Sequence, residues 1–152
     1  MDIKIQPSPA VLFVGTWLLQ SYTDLLSDGS STEPMGSTPQ GFLLYTKEGI
    51  VSAQLTGFGI NRNDISSEEP KTRDETETSG SYIGYCGSFT VNFELQEVVH
   101  TPIVAHDRRL VGQALHRKFE LNADRLTLTA CSLAARNSIV ESRLVWRRQT
   151  TN

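Results

Sequence analysis

Residues 113–131 read QALHRKFELNADRLTLTAC. Over residues 113–121 the side chains alternate: Leu115, Arg117, Phe119 and Leu121 share one face, His116, Lys118 and Glu120 the other. A repeat of two residues belongs to a strand, whose successive side chains leave opposite faces of a sheet. Asn122-Ala123-Asp124 supplies a tight reversal, and residues 125–131 follow with Leu126, Leu128 and Ala130 together. Strand, short turn and strand predict an antiparallel hairpin. Arg117 is the exception to the pattern, a cation on the apolar face.

The same grammar extends in both directions. Residues 41–55, GFLLYTKEGIVSAQL, predict another hairpin, with Gly49 free to take the positive φ of its turn. Residues 85–93 place Tyr85, Gly87, Phe89, Val91 and Phe93 on one face. Residues 97–105 and 139–148 read as strands, the latter with Val140, Leu144 and Trp146 together, and residues 16–22 as a first strand. Residues 1–9 form a polar, proline-punctuated arm, and residues 10–14 one short helical turn. Residues 27–40 (SDGSSTEPMGSTPQ begins at Ser27) read as a surface loop. Residues 57–80 are loop-like and charged, without an apolar face, and suit a short solvated helix or a mobile lid over a binding site. About eight short strands with at most one or two short helices predict an all-β meander, and such meanders avoid exposed edges by closing into an up-and-down barrel with room for a small ligand.

With 152 residues, 38% hydrophobic and 20% charged, the composition is that of one globular domain. A net charge of −3 argues against nucleic acid, whose phosphates call for a cationic stripe. Cys86 and Cys131 lie far apart in apolar company and read as buried free thiols, with a single bridge between them left open. The apolar run at residues 10–14 lacks the flanks of a signal peptide, and no run reaches membrane-span length; a soluble cytoplasmic protein is the expectation. There is no G-x-S-x-G, P-loop, G-x-G-x-x-G or H-E-x-x-H motif.

Several of these stretches resemble a known family. Gly15-Thr16-Trp17 is similar to the G-x-W of lipocalins, in which an Arg of the last strand stacks over the Trp. Arg148 is the better counterpart here, with Arg147 second. Residues 34–55, PMGSTPQGFLLYTKEGIVSAQL, resemble the P-x-G-x-x-P-x-G-x-L-x-Y-x-x-x-G-x-x-S-A-Q pattern of the bacterial and fungal lipocalin-like domain family. SYIGYCGSF (81–89), VVH (98–100), LHRKFEL (115–121) and LVWRR (144–148) fit as well. The resemblance implies a lipocalin-like barrel over residues 12–148. Since some members lie in gene clusters for specialised metabolites, it also implies a small hydrophobic metabolite as ligand. The departure from the pattern is at residues 57–80, which are shorter and more acidic.

Within such a barrel Arg117 points inward and needs a partner. It either pairs with an internal carboxylate such as Glu94 or Glu141, or clamps a carboxylate, enolate or polarised carbonyl of a ligand. His100, between Val98 and Pro102 on its strand, is either a satisfied structural group or the acid or base of catalysis. His106 and His116 read as loop and outward-facing residues, and no metal site or cofactor is expected. Tyr45, Tyr82, Tyr85, Phe89, Leu115, Phe119, Leu128 and Leu144 are expected to wall the site, and Ser52 and Gln54 to face it, although alternation alone would turn Val51, Ala53 and Leu55 inward. The function expected is that of a cofactor-free isomerase, cyclase or dehydratase of specialised metabolism. The alternative is a non-catalytic carrier, with a homodimer allowed in either case.

Overall fold

The computed structural model describes residues 9–57, 82–131 and 139–150. They form one sheet of β1 (Gly15–Leu26), β2 (Ser31–Thr32), β3 (Gln40–Tyr45), β4 (Ile50–Thr56), β5 (Tyr82–Asn92), β6 (Glu97–Ala105), β7 (Leu115–Asn122), β8 (Arg125–Cys131) and β9 (Ile139–Arg148). From β3 onward each strand pairs antiparallel with the next, β1 pairs with β3, and β9 pairs back onto β1. The meander therefore closes, as the alternation predicts, into a barrel of eight strands with β2 as a two-residue ribbon beside β1. Closure removes the unpaired edges of an open sheet. Helix among the described residues amounts to two 3₁₀ turns, Pro9–Leu12 and Arg108–Leu110.

One end of the barrel is filled solid. Phe13, Trp17, Tyr45, Phe89 and Phe119 are buried there, and Phe13 meets Tyr45 and Phe119 edge to face with ring centroids 5.3 and 4.9 Å apart. The Trp17 indole donates to the Phe13 carbonyl at 3.0 Å. Arg148 lies over the Trp17 ring, 4.2 Å from its centroid, and donates to the carbonyls of Leu12, Val14 and Ala123. A cation on an indole face that also satisfies three carbonyls binds the entering chain to the last strand. Gly15 makes the bend with φ +139°, and a Cβ there would come within 2.9 Å of the Arg148 Nη1.

Strand parity departs from simple alternation at β1, whose register with β9 shifts between Leu19 and Ser21. The inserted residue moves the inward face from Trp17 and Leu19 to Tyr22 and Asp24, and the strand continues to Leu26 rather than stopping at Tyr22. In β4 it is Val51, Ala53 and Leu55 that are buried, so the expectation that Ser52 and Gln54 face inward is corrected. Register explains this: Tyr45 lies opposite Val51 and Leu43 opposite Ala53, and those partners belong to the core. A one-residue slip would exchange three buried apolar side chains for polar ones.

Both cysteines are free, but Cys86 is half-buried and Cys131 exposed, since each sits on an outward position of its strand. In the loop over residues 27–40, Met35 is nonetheless buried against the core. The expectations for residues 57–80, Gly57 apart, and for most of the N-terminal arm lie outside the described residues.

Candidate functional site

Beyond the aromatic plug the barrel is hollow, with a cavity of about 140 Å³. Two cross-strand rows frame it, Leu43–Ala53–Tyr85 over β3, β4 and β5, and Tyr22–Leu144–Leu128 over β1, β9 and β8. Leu55, Ile83, Ala130 and Trp146 add apolar wall, and His100, Arg117 and Ser142 add polar groups.

His100 is 1% exposed and bonded at both ring nitrogens, Nε2 to the Tyr45 hydroxyl at 2.7 Å and Nδ1 to the Tyr85 hydroxyl at 2.6 Å. Burial, reinforced by the Arg117 charge, pushes the imidazole down to about 3, so it is neutral at pH 7. Burial pushes Tyr85 up to about 12 and Tyr45 well above its ordinary value, in each case against the opposing pull of Arg117. Both phenols are therefore protonated, and no ring nitrogen is left over for a ligand.

Arg117 is half-buried and donates from Nη1 to the His116 carbonyl at 3.0 Å. Among the described residues no carboxylate pairs with it: Glu141 takes Arg143 at 3.1 Å, and Glu94 is exposed. Its charge is felt at Tyr22, Tyr45, Tyr85 and His100, which makes it the electrostatic centre of the polar cluster. Ser142 donates to the buried Asp24 carboxylate at 2.5 Å. Burial first, then this carboxylate, raises the neighbouring Tyr22 phenol. The buried Trp146 indole N–H meets no acceptor among the described residues.

The family profile of the lipocalin-like domain matches residues 14–149. This chain belongs to that family. No curated protein matches this chain in sequence. Among solved structures it is similar to a de novo designed fluorescence-activating β-barrel, at 16% identity, 95% of this chain, 100% of that chain and a TM-score of 0.45. A redesigned β-barrel is similar at 13% identity, over the same shares of each chain, with a TM-score of 0.46.

Of the residues singled out from its sequence, the lipocalin-like domain brings His100, Arg117, Tyr85, Leu128 and Leu144 to one cavity. Tyr45 stands behind it, touching it through His100. Phe89, Leu115 and Phe119 belong to the packed interior rather than to the cavity wall. Ser52, Gln54 and Tyr82 are elsewhere: the Tyr82 hydroxyl donates to Gln54 on the outside of the barrel, where Tyr82 is 48% exposed. His106 and His116 are exposed as expected, the latter 2.8 Å from Glu97.

Tyr22, Asp24 and Ser142 were missed. Ser142 shares the parity of Leu144 and Trp146, so the face was legible although this member of it was passed over. Tyr22 and Asp24 turn inward only because of the β1 bulge. A second hollow, about 400 Å³, lies among the exposed Gln20, Asp124, Arg125 and Arg147 on the outer wall. Its water-facing polar sides desolvate nothing, and it lacks the convergent polar groups of the interior.

Proposed function

We propose that this lipocalin-like barrel binds a small, mostly apolar molecule carrying one oxygen-bearing polar head, with the head at Arg117 and the body against Leu43, Leu55, Leu128 and Leu144. The supporting observation is a guanidinium without a carboxylate partner among the described residues, at the wall of an apolar cavity. A half-buried cation without a counter-charge is costly unless something else supplies one. The size limits the guest, since an engineered protein cavity of about 150 Å³ admits benzene. A six-membered ring with a short substituent is the scale that fits.

A second reading, an isomerase acting on a carbonyl compound, is favoured by Arg117 together with the protonated Tyr85. The two could stabilise an enolate oxygen in a water-poor site. Binding comes first because the wall that carries the guanidinium offers no free base. His100 is neutral and bonded at both nitrogens, and none of the described residues lining the cavity is a carboxylate. His100 is then a positioning residue rather than the acid or base.

The test is calorimetric titration of benzoate and toluene into the wild type and Arg117→Met. Micromolar to millimolar binding of benzoate to the wild type, weakened at least tenfold in the variant, supports the reading. No binding of either probe, or equal binding of benzoate to both proteins, overturns it. Turnover of a cyclic enone isomer by the wild type would establish the second reading instead.

A further inference from the structure

The Tyr45–His100–Tyr85 chain has a direction, and that direction fixes the chemistry of the ligand head. A neutral imidazole carries one proton, so one ring nitrogen donates and the other accepts. If Nε2 carried it, the Tyr45 oxygen would accept and the Tyr45 proton would need a second acceptor. Tyr45 is 2% exposed, and His100 is its hydrogen-bond partner among the described residues. A buried hydroxyl proton without an acceptor is unfavourable. In the reverse arrangement Tyr45 donates to Nε2, Nδ1–H donates to the Tyr85 oxygen, and the Tyr85 proton is left over. Tyr85, unlike Tyr45, lines the cavity, so that proton has somewhere to go. The tautomer follows from which of the two phenols faces the hollow.

Resting on the binding reading above, we infer that the cavity receives its ligand as an organic oxyanion, the carboxylate of a monocyclic acid. Tyr85 O–H and the Arg117 guanidinium hold it, and Tyr45 and His100 orient the Tyr85 proton. The remaining groups agree. The two other hydroxyls at the wall are already engaged, Ser142 giving its proton to Asp24 and Tyr22 hydrogen-bonded to Ser142. What remains at the wall is the Tyr85 proton and the Arg117 guanidinium, both donors, so a head that only accepts is matched. An alcohol or a primary amide brings protons with no place to go.

Tyr45 has no place in the cavity wall, which makes it the discriminating variant. In Tyr45→Phe the imidazole loses its donor at Nε2 and is free to shift its proton there. Tyr85 then donates to Nδ1 and its proton is lost to the ligand.

Two measurements test this. Nitrogen-15 spectra of the ligand-free wild type should show a protonated Nδ1 and a bare Nε2 at His100. Calorimetry should show benzoate binding at least tenfold tighter than benzyl alcohol or benzamide, with the preference over toluene falling at least fivefold in both Tyr85→Phe and Tyr45→Phe. A protonated Nε2 overturns the orientation whatever binds. Benzoate affinity falling in Tyr85→Phe but not in Tyr45→Phe overturns the relay while leaving the oxyanion site standing. Benzyl alcohol or benzamide binding as tightly as benzoate overturns the oxyanion assignment while the binding reading survives. If neither benzoate nor toluene binds, the binding reading fails, and the spectrum still judges the tautomer by itself.

Discussion

At His100 the surroundings set what a proton costs. In the unfolded chain the imidazole titrates near 6.5, and in the fold near 3, because burial and the Arg117 charge both oppose a second cation. Between those values the unfolded chain binds more protons, so stability present above pH 6.5 is lost as pH falls toward 3. The slope is at most roughly 1.4 kcal/mol per pH unit from this residue. Tyr85 acts at the other extreme: its phenol is raised from 10.0 to about 12, so stability falls as pH rises through that window. Urea unfolding at pH 7, 5 and 4 should show the acid loss, and His100→Gln should make it shallower. An equal slope in wild type and variant would place the loss elsewhere. At this scale period-two alternation carried Arg117 and His100 to the inner face correctly. At Ser52 and Gln54 alternation alone favoured the observed face, with Val51, Ala53 and Leu55 inward; the expectation that overrode it came from the family resemblance, and the partners across the register decide against it.

At the scale of elements, the informative features are those that interrupt alternation. The β1 bulge carries Tyr22 and Asp24 inward, and a register shift of β6 against β5 leaves Ile103 and Val104 both exposed. Nothing in a run such as Leu18-Leu19-Gln20-Ser21-Tyr22 marks where an extra residue enters the ladder, since either parity puts apolar side chains inside. The junction of the first 3₁₀ turn with β1 was more legible, because glycine there stands before the tryptophan. Gly15→Ala should destabilise by roughly 1–3 kcal/mol, from a positive φ combined with the approach of Arg148. Chemical denaturation measures it, and a change within error would show that the bend tolerates a side chain.

For the molecule as a whole, closure divides the interior into a packed half and a hollow half. The packed half holds the aromatic plug, and the hollow half holds small side chains, Ala53 and Ala130, at positions where larger ones would reach the space. Ala53→Leu should therefore fill the cavity, raise stability by about 0.5–2 kcal/mol and abolish benzoate binding. Thermal melts with and without benzoate check it. A melting temperature that still rises with benzoate would mean that the ligand sits elsewhere.

The number of strands, their antiparallel order and the inward set of Arg117 and His100 were present in the sequence, because alternation and turn residues are local, whereas the tryptophan–arginine plug was legible through the resemblance to lipocalins. The tertiary structure alone placed Tyr45 and Tyr85 on the two nitrogens of His100, turned Tyr22 and Asp24 inward and left Arg117 without a described carboxylate. Those facts depend on which side chains meet across the barrel. Tyr45 and His100, 55 positions apart along the chain, meet across two intervening strands of the curved sheet, and Tyr85 and His100, 15 apart, meet through the pairing of β5 with β6.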